Sequence, residues 1–222
     1  MQYQCPGPAE LANVFVLNSA FIAWQLSMSR EPGREARMGP GIPARLAALD
    51  GVKRERLART PFLLMSLAED DELRWQSLFS EQTTRDLLQC IQLRDEAASR
   101  ITAAGLGFLW QLAQRNPYAA RLVSGASLDW CEQLSACTLM DLIARALEDH
   151  TLLAPRMSDR PEFWDRLLTA GVSNRRQVRV AARVATLQTV LIQRPLRTHQ
   201  PLSAAACKMS PARTRSSRRR KK

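Results

Sequence analysis

Arginines are the residues of this 222-residue chain whose type and spacing point most directly to a chemistry. Arg175, Arg176, Arg179 and Arg183 recur three to four apart and so share one face of a helix. Arg213, Arg215, Arg218, Arg219, Arg220, Lys221 and Lys222 follow among Ser, Thr and Pro. Residues 174–222 hold fourteen Lys/Arg and no acid; the net charge is +11, so residues 1–173 carry −3 by difference. A guanidinium that neutralises a phosphate releases a counterion, and a run of them binds a polyanion without reading its sequence. No aromatic stands among the tail cations, so stacking on bases is not indicated. The partner expected first is nucleic acid, DNA above RNA; an acidic protein or anionic membrane surface comes next, and a merely solubilising tail last.

A second basic stretch, Pro43–Arg59, is similar to a helix-turn-helix. In that reading Ala47 marks the close approach of two helices, Gly51 the turn, and Val52 and Leu57 the inner face. Lys53, Arg54, Arg56 and Arg59 would then be presented by a recognition helix. Asp50 and Thr60 stand where apolar residues are usual, so a plain helical hairpin is the competing reading.

Other chemistries find little support. GxSxG, P-loop, GxGxxG and HExxH patterns are missing. Cys5, Cys90, Cys131, Cys137 and Cys207 form no CxxC pair, and only His150 and His199 could join them around zinc. The cysteines read as reduced packing residues of a cytoplasmic protein. Glu148-Asp149-His150 reads as a helix end, Asp70-Asp71-Glu72 as an acidic helix start, and the five tryptophans as core anchors, with Trp130 the one to check for exposure. No catalytic residue, metal or cofactor is expected, nor a leader or membrane span: the first residues lack a basic-then-apolar pattern, and no uncharged apolar run reaches about 18 residues.

The elements that must position these groups are helical, because Leu, Ala, Arg, Gln and Glu dominate and β-branched residues are sparse. Helices are expected over Asn13–Met28, Pro43–Leu49, Lys53–Ala58, Glu72–Phe79 and Thr83–Ala113, the last weakened at Gly105 and Gly107. Phe62–Leu67 is an apolar run of either type, and a helix capped by Ser173 or Asn174 runs to about Gln193. The apolar face of this last helix would comprise Val178, Ala181, Ala182, Ala185, Leu187 (or Gln188) and Leu191.

The pattern recurs. Trp24-Gln25-Leu26 returns as Trp110-Gln111-Leu112, Ala36-Arg37 with Gly41 as Ala120-Arg121 with Gly125, and Ala58-Arg59 as Ala144-Arg145, at offsets of 84–86. Leu63-Leu64 returns as Leu152-Leu153 and Trp75 with Leu78 as Trp164 with Leu167, at 89. The expected architecture is all-α, with two tandem copies of a multi-helix unit packed as a pseudo-dimer. Its parts are an N-terminal extension (1–12), repeat one (13–80), a linker helix (81–98), repeat two (99–170), a basic amphipathic helix (171–194) and a basic tail disordered when free (195–222).

Within copy two, Leu112-Ala113-Gln114-Arg115, Ala119-Ala120-Arg121-Leu122 with Gly125, Leu134, Thr138-Leu139, Leu142 and Leu152-Leu153 resemble the D subunit of the bacterial flagellar master regulator. The resemblance covers residues 109–153 and implies a helical, dimer-forming protein that acts on transcription with a partner subunit; it transfers no site residue. The function expected is a bacterial DNA-associated transcriptional regulator or regulator subunit, its body making protein contacts, to a partner or to itself, and its C-terminal arm contacting phosphates. The alternative is a non-DNA adaptor, or a secretion or assembly accessory protein, whose basic end docks an acidic partner or membrane surface.

Overall fold

Local chemistry explains where most helices begin. Four carry proline in the first turn, where the missing N–H costs nothing: α1 (Pro8–Met28), α2 (Ile42–Ala47), α6 (Pro117–Ser124) and α9 (Pro161–Thr169). Side-chain caps open others. Asp50 accepts from Lys53 N to start α3 (Gly51–Ala58), and Asp95 from Ala98 N to start α5 (Glu96–Arg115). Asn116 also caps α6, and Ser127 caps α7 (Leu128–Ala136). Asp71 accepts from Arg74 N at the head of α4 (Glu72–Ser80), and Thr138 from Asp141 N at the head of α8 (Leu139–Glu148). A 3-10 turn, Ala170–Val172, leads to α10 (Arg176–Ile192). These boundaries come from a computed structural model, which describes residues 5–29, 38–39, 41–80, 95–149 and 151–192.

The fold is mostly helical. Two two-residue strands, β1 (Met65–Ser66) and β2 (Ala154–Pro155), pair antiparallel, Met65 opposite Pro155 and Ser66 opposite Ala154. Helices α1 and α5 run antiparallel: Trp24 Nε1 donates to Asp95 at one end, and Arg115 meets Glu10 at the other. Apolar side chains from both halves form one core, including Phe21, Leu57, Phe62, Leu106, Leu134 and Trp164. Asn18, fully buried on α1, anchors the chain leading to β1. It accepts from Leu64 N at 2.8 Å and donates to the carbonyls of Phe62 and Ala58. Pairing backbone groups of that non-helical stretch, Leu63 N with Val123 O and Leu64 N with Asn18 among them, is what permits its burial.

Several expectations need correction. Residues 8–12 belong to α1, because Pro8 opens the helix; they are no separate extension. The expected boundary between linker and second repeat, at 98/99, falls inside the first turn of α5, since the Asp95 cap starts that helix three residues earlier. The rest of the linker, 81–94, lies outside the described residues. Gly105 and Gly107 do not interrupt α5; a Cβ at Gly105 would come within 2.7 Å of the Met65 methyl, so the glycine lets β1 approach the helix. Helix α1 is long and apolar enough to cross a membrane by length and composition, which the sequence reading did not anticipate; here its inner face forms part of the core. Trp130 is buried.

A constant spacing relates several details. Residues 65 and 66 pair with 155 and 154, so adding 89 to β1 yields β2 and maps the pairing onto itself. The two described non-glycine residues with positive φ are Ala68 (53°) and Met157 (52°), again 89 apart. Trp75 Nε1 donates to the carbonyls of Leu67 and Ala68, and Trp164 Nε1 to that of Arg156, the position 89 after Leu67. Gly41 and Gly125 are both left-handed.

Two solution predictions arise from the core. Burial pushes the Cys131 thiol up to about 12, against a hydrogen bond with Ser124 and the nearby Arg121 charge. Cys131 should therefore resist alkylation at pH 8 in the folded protein while exposed Cys5 reacts, as read by mass spectrometry; equal modification rates would contradict this burial. Asp149 accepts hydrogen bonds from Arg74 and Thr151. Partial burial works to raise its pKa, but the bonds to Arg74 and Thr151 outweigh it, and the net value lies below the ordinary 3.8. A depressed folded pKa gives stability that is present above the unfolded value and lost as pH falls through the folded one. Asp149→Asn should thus lower the denaturation midpoint at pH 7 and have little effect near pH 2.

Candidate nucleic-acid interface

The basic residues of α3 and α10 meet around the 3-10 turn. Arg56 donates through Nη1 to the Val172 carbonyl and to Asn174 Oδ1. Arg183 donates through Nη2 to the carbonyl of Arg56. Arg179 folds back onto the carbonyls of Ser173 and Asn174, at 2.7 and 2.9 Å. These partners are all neutral, and among the described residues Arg56, Arg179 and Arg183 make no ion pair. Burial lowers the Arg183 pKa, and the Arg179 and Arg59 charges lower it further; its Nε is buried without a partner. An arginine so placed stays charged, and the cluster holds cations against their mutual repulsion with dipoles alone. An anion arriving there would relieve that repulsion.

The neighbouring cations divide by role. Arg175 and Arg176 are exposed at the start of α10, where the helix dipole adds positive potential. Lys53 pairs with its own cap, Asp50, whose pKa is lowered chiefly by the backbone and side-chain hydrogen bonds from Lys53. Arg54 donates to the Ala47 carbonyl and ties α3 to α2. Arg59 pairs with Glu55 and lies 4.9 Å over the ring of Phe15. Arg213, Arg215, Arg218, Arg219, Arg220, Lys221 and Lys222 lie outside the described residues.

Two sequence assignments change here. Helix α10 buries Ala182, Thr186 and Val190, spaced four apart, and packs Leu187 partly buried against the core as expected, while Val178 and Ala181, also expected to face inward, are exposed and Ala185 and Leu191 are half-buried. Val178 is exposed, and so are Val180, Val184 and Ile192. The inner stripe is set by contact with Gly125: a Cβ there would come within 2.2 Å of Val190, so only glycine lets the helix lie this close. Thr186 passes as apolar because its hydroxyl bonds the Ala182 carbonyl of its own helix. Arg183 consequently turns toward α3 while Arg179 folds back onto the start of its own helix, and the four arginines do not share one outward face.

The helix-turn-helix reading of 43–59 also changes. Ala47 and Val52, expected inside, are exposed, Val52 by 57%. Leu57 is buried as expected, while Thr60 is buried with its hydroxyl on the Leu57 carbonyl. Asp50, a misfit for a turn core, is the helix cap. With Lys53 and Arg54 engaged locally, the segment is two short helices whose long-range basic contacts are Arg45 with Asp165, Arg56 with Val172 and Asn174, and Arg59 over Phe15.

Sequence reasoning missed Asn174 as a partner of Arg56 and the buried pair Arg156–Glu69, at 2.9 Å beside β2. A cavity of about 280 Å³ borders this pair, lined in part by Asp70, Pro155, Met157 and Asp159. Comparison with protein families, with characterised proteins and with solved structures gives no match.

Proposed function

We propose that this protein is a DNA-associated regulator, or a subunit of one, that holds phosphates with the arginines of α3 and α10 and with the basic segment that follows. The observation that carries the reading is the cluster of Arg56, Arg179 and Arg183 held together by neutral acceptors, beside exposed Arg175 and Arg176. An arginine cluster without carboxylates is a poor stabiliser of the fold and a ready phosphate site.

The body is read as a tandem duplication forming a pseudo-dimer. Its supports are the self-mapping strand register, the matched left-handed residues Ala68 and Met157, and the matched tryptophan hydrogen bonds, all 89 apart. The flagellar-regulator resemblance covers α6, α7 and α8 and agrees with a transcription role.

The test is fluorescence anisotropy with a random duplex across a salt series, comparing the full chain, Arg175→Gln/Arg176→Gln, and a chain ending at residue 192, which retains α10. The full chain should show a steep slope of log affinity against log salt, about −0.9 per phosphate neutralised. The double variant should flatten it by up to about 2, and removing 193–222 should weaken binding on the order of 100-fold or more at 0.1 M salt. Equal affinity for all three would sink the proposal. One observation favours docking to a protein or membrane surface instead: α10 turns Val180, Val184 and Ile192 outward. Retention on anionic vesicles exceeding retention on DNA at equal salt would select that reading.

A further inference from the structure

Arg156 departs from the repeat in one informative way. Its 89-residue counterpart is Leu67, and the counterpart of its partner Glu69 is Ser158. The pair is nearly sealed from water, with side-chain exposures of 6% and 3%. The Arg156 guanidinium reaches into the first unit: Nε donates to the Leu63 carbonyl at 2.6 Å, Nη2 to the Met65 carbonyl at 2.7 Å, and Nη1 to Glu69. Glu69 is also held by Ser66 Oγ and Leu67 N.

Consider the other pairings that the repeat permits. If a first unit packed on another first unit, Glu69 would face a leucine at the place of Arg156. If a second unit packed on another second unit, Arg156 would face a serine at the place of Glu69. The first arrangement takes the guanidinium from buried Glu69 and the second takes the carboxylate from buried Arg156, a heavy penalty in either case, whereas a first unit on a second keeps the ion pair.

We propose that the Arg156–Glu69 pair is the specificity element that makes the two units obligate partners of each other and bars like-with-like association between chains. The inference rests on the tandem reading of the body. It assigns the inner interface one kind of partner, a second unit bearing arginine at this position.

The test uses two full-length variants, Arg156→Leu and Glu69→Leu, each leaving one buried charge without its partner. Unfolded together and refolded at 1:1, they can exchange units: the first unit of the Arg156→Leu chain meets the second unit of the Glu69→Leu chain and restores the ion pair, while the remaining two units meet leucine to leucine. Light scattering after size exclusion, with one chain tagged, should find a mixed dimer roughly 100-fold more abundant than dimer in either variant refolded alone. Variants too unstable to fold singly would still show this as mutual rescue. The control is Glu69→Leu/Arg156→Leu in one chain, which should fold and form more dimer than wild type because no pairing is penalised. Dimers from the control without a mixed dimer from the 1:1 pair would overturn the assignment while leaving the tandem reading intact. Dimers from neither would overturn both.

Discussion

Replacing Arg156 by leucine should lower the folding stability of the full chain by about 3–5 kcal/mol, read as a shift of the urea midpoint at pH 7. The magnitude comes from what remains behind. Glu69 would stay buried, bonded by Ser66 Oγ and Leu67 N, and would lose the Arg156 guanidinium. The carbonyls of Leu63 and Met65 would lose their guanidinium donor beside a two-residue sheet that offers few substitutes. A buried ion pair adds little over well-packed apolar residues, but half of one is strongly destabilising. The double variant Glu69→Leu/Arg156→Leu should therefore recover most of the loss. A single-variant loss below about 1 kcal/mol would mean that water reaches the pair.

Trp164→Ala should cost a similar amount, about 3–5 kcal/mol. The indole is fully buried, meets Phe163 edge-on at 5.8 Å, and donates Nε1 to the Arg156 carbonyl at 2.8 Å. Truncation leaves a large void and an unpaired carbonyl next to the buried ion pair. Trp75→Ala should cost nearly as much, because Trp75 is also buried, donates to the Ala68 carbonyl at 2.9 Å and stands edge-on to Trp130 at 5.1 Å. Losses that agree within about 1 kcal/mol would fit the proposed tandem duplication, and a tolerated Trp75→Ala beside a damaging Trp164→Ala would argue against it. Trp164→Phe separates the two contributions: packing is largely kept, and the missing N–H should cost about 1–2 kcal/mol.

The helices were legible because their signals are local. Asp71 bonds the Arg74 N–H three residues on, and the acidic helix start at Asp70-Asp71-Glu72 was read from that local pattern, whereas the equally local caps Asp50, Asn116 and Ser127 went unrecognised. The apolar run Phe62–Leu67 stayed ambiguous because its hydrogen bonds go to Asn18, Val123 and Arg156, none of them nearby in sequence. The basic character of the C-terminal region was plain from composition, but its arrangement was not. Counting arginines at helical spacing placed four on one outward face, and contact with Gly125 orients α10 so that Arg183 meets α3 and Arg179 folds onto the Ser173 and Asn174 carbonyls instead.

By itself, then, the sequence determined a mostly helical chain, the recurrence at 84–89 residues and a concentration of cations after Asn174. Each depends on neighbours a few residues apart or on composition. Only the tertiary structure decided that Arg156 is buried against Glu69, that Asn18 holds the non-helical chain ahead of β1, and that Arg56, Arg179 and Arg183 form one cluster. Those outcomes depend on which distant elements meet, and the free energy of a buried charge or amide depends on partners that spacing along the chain does not reveal.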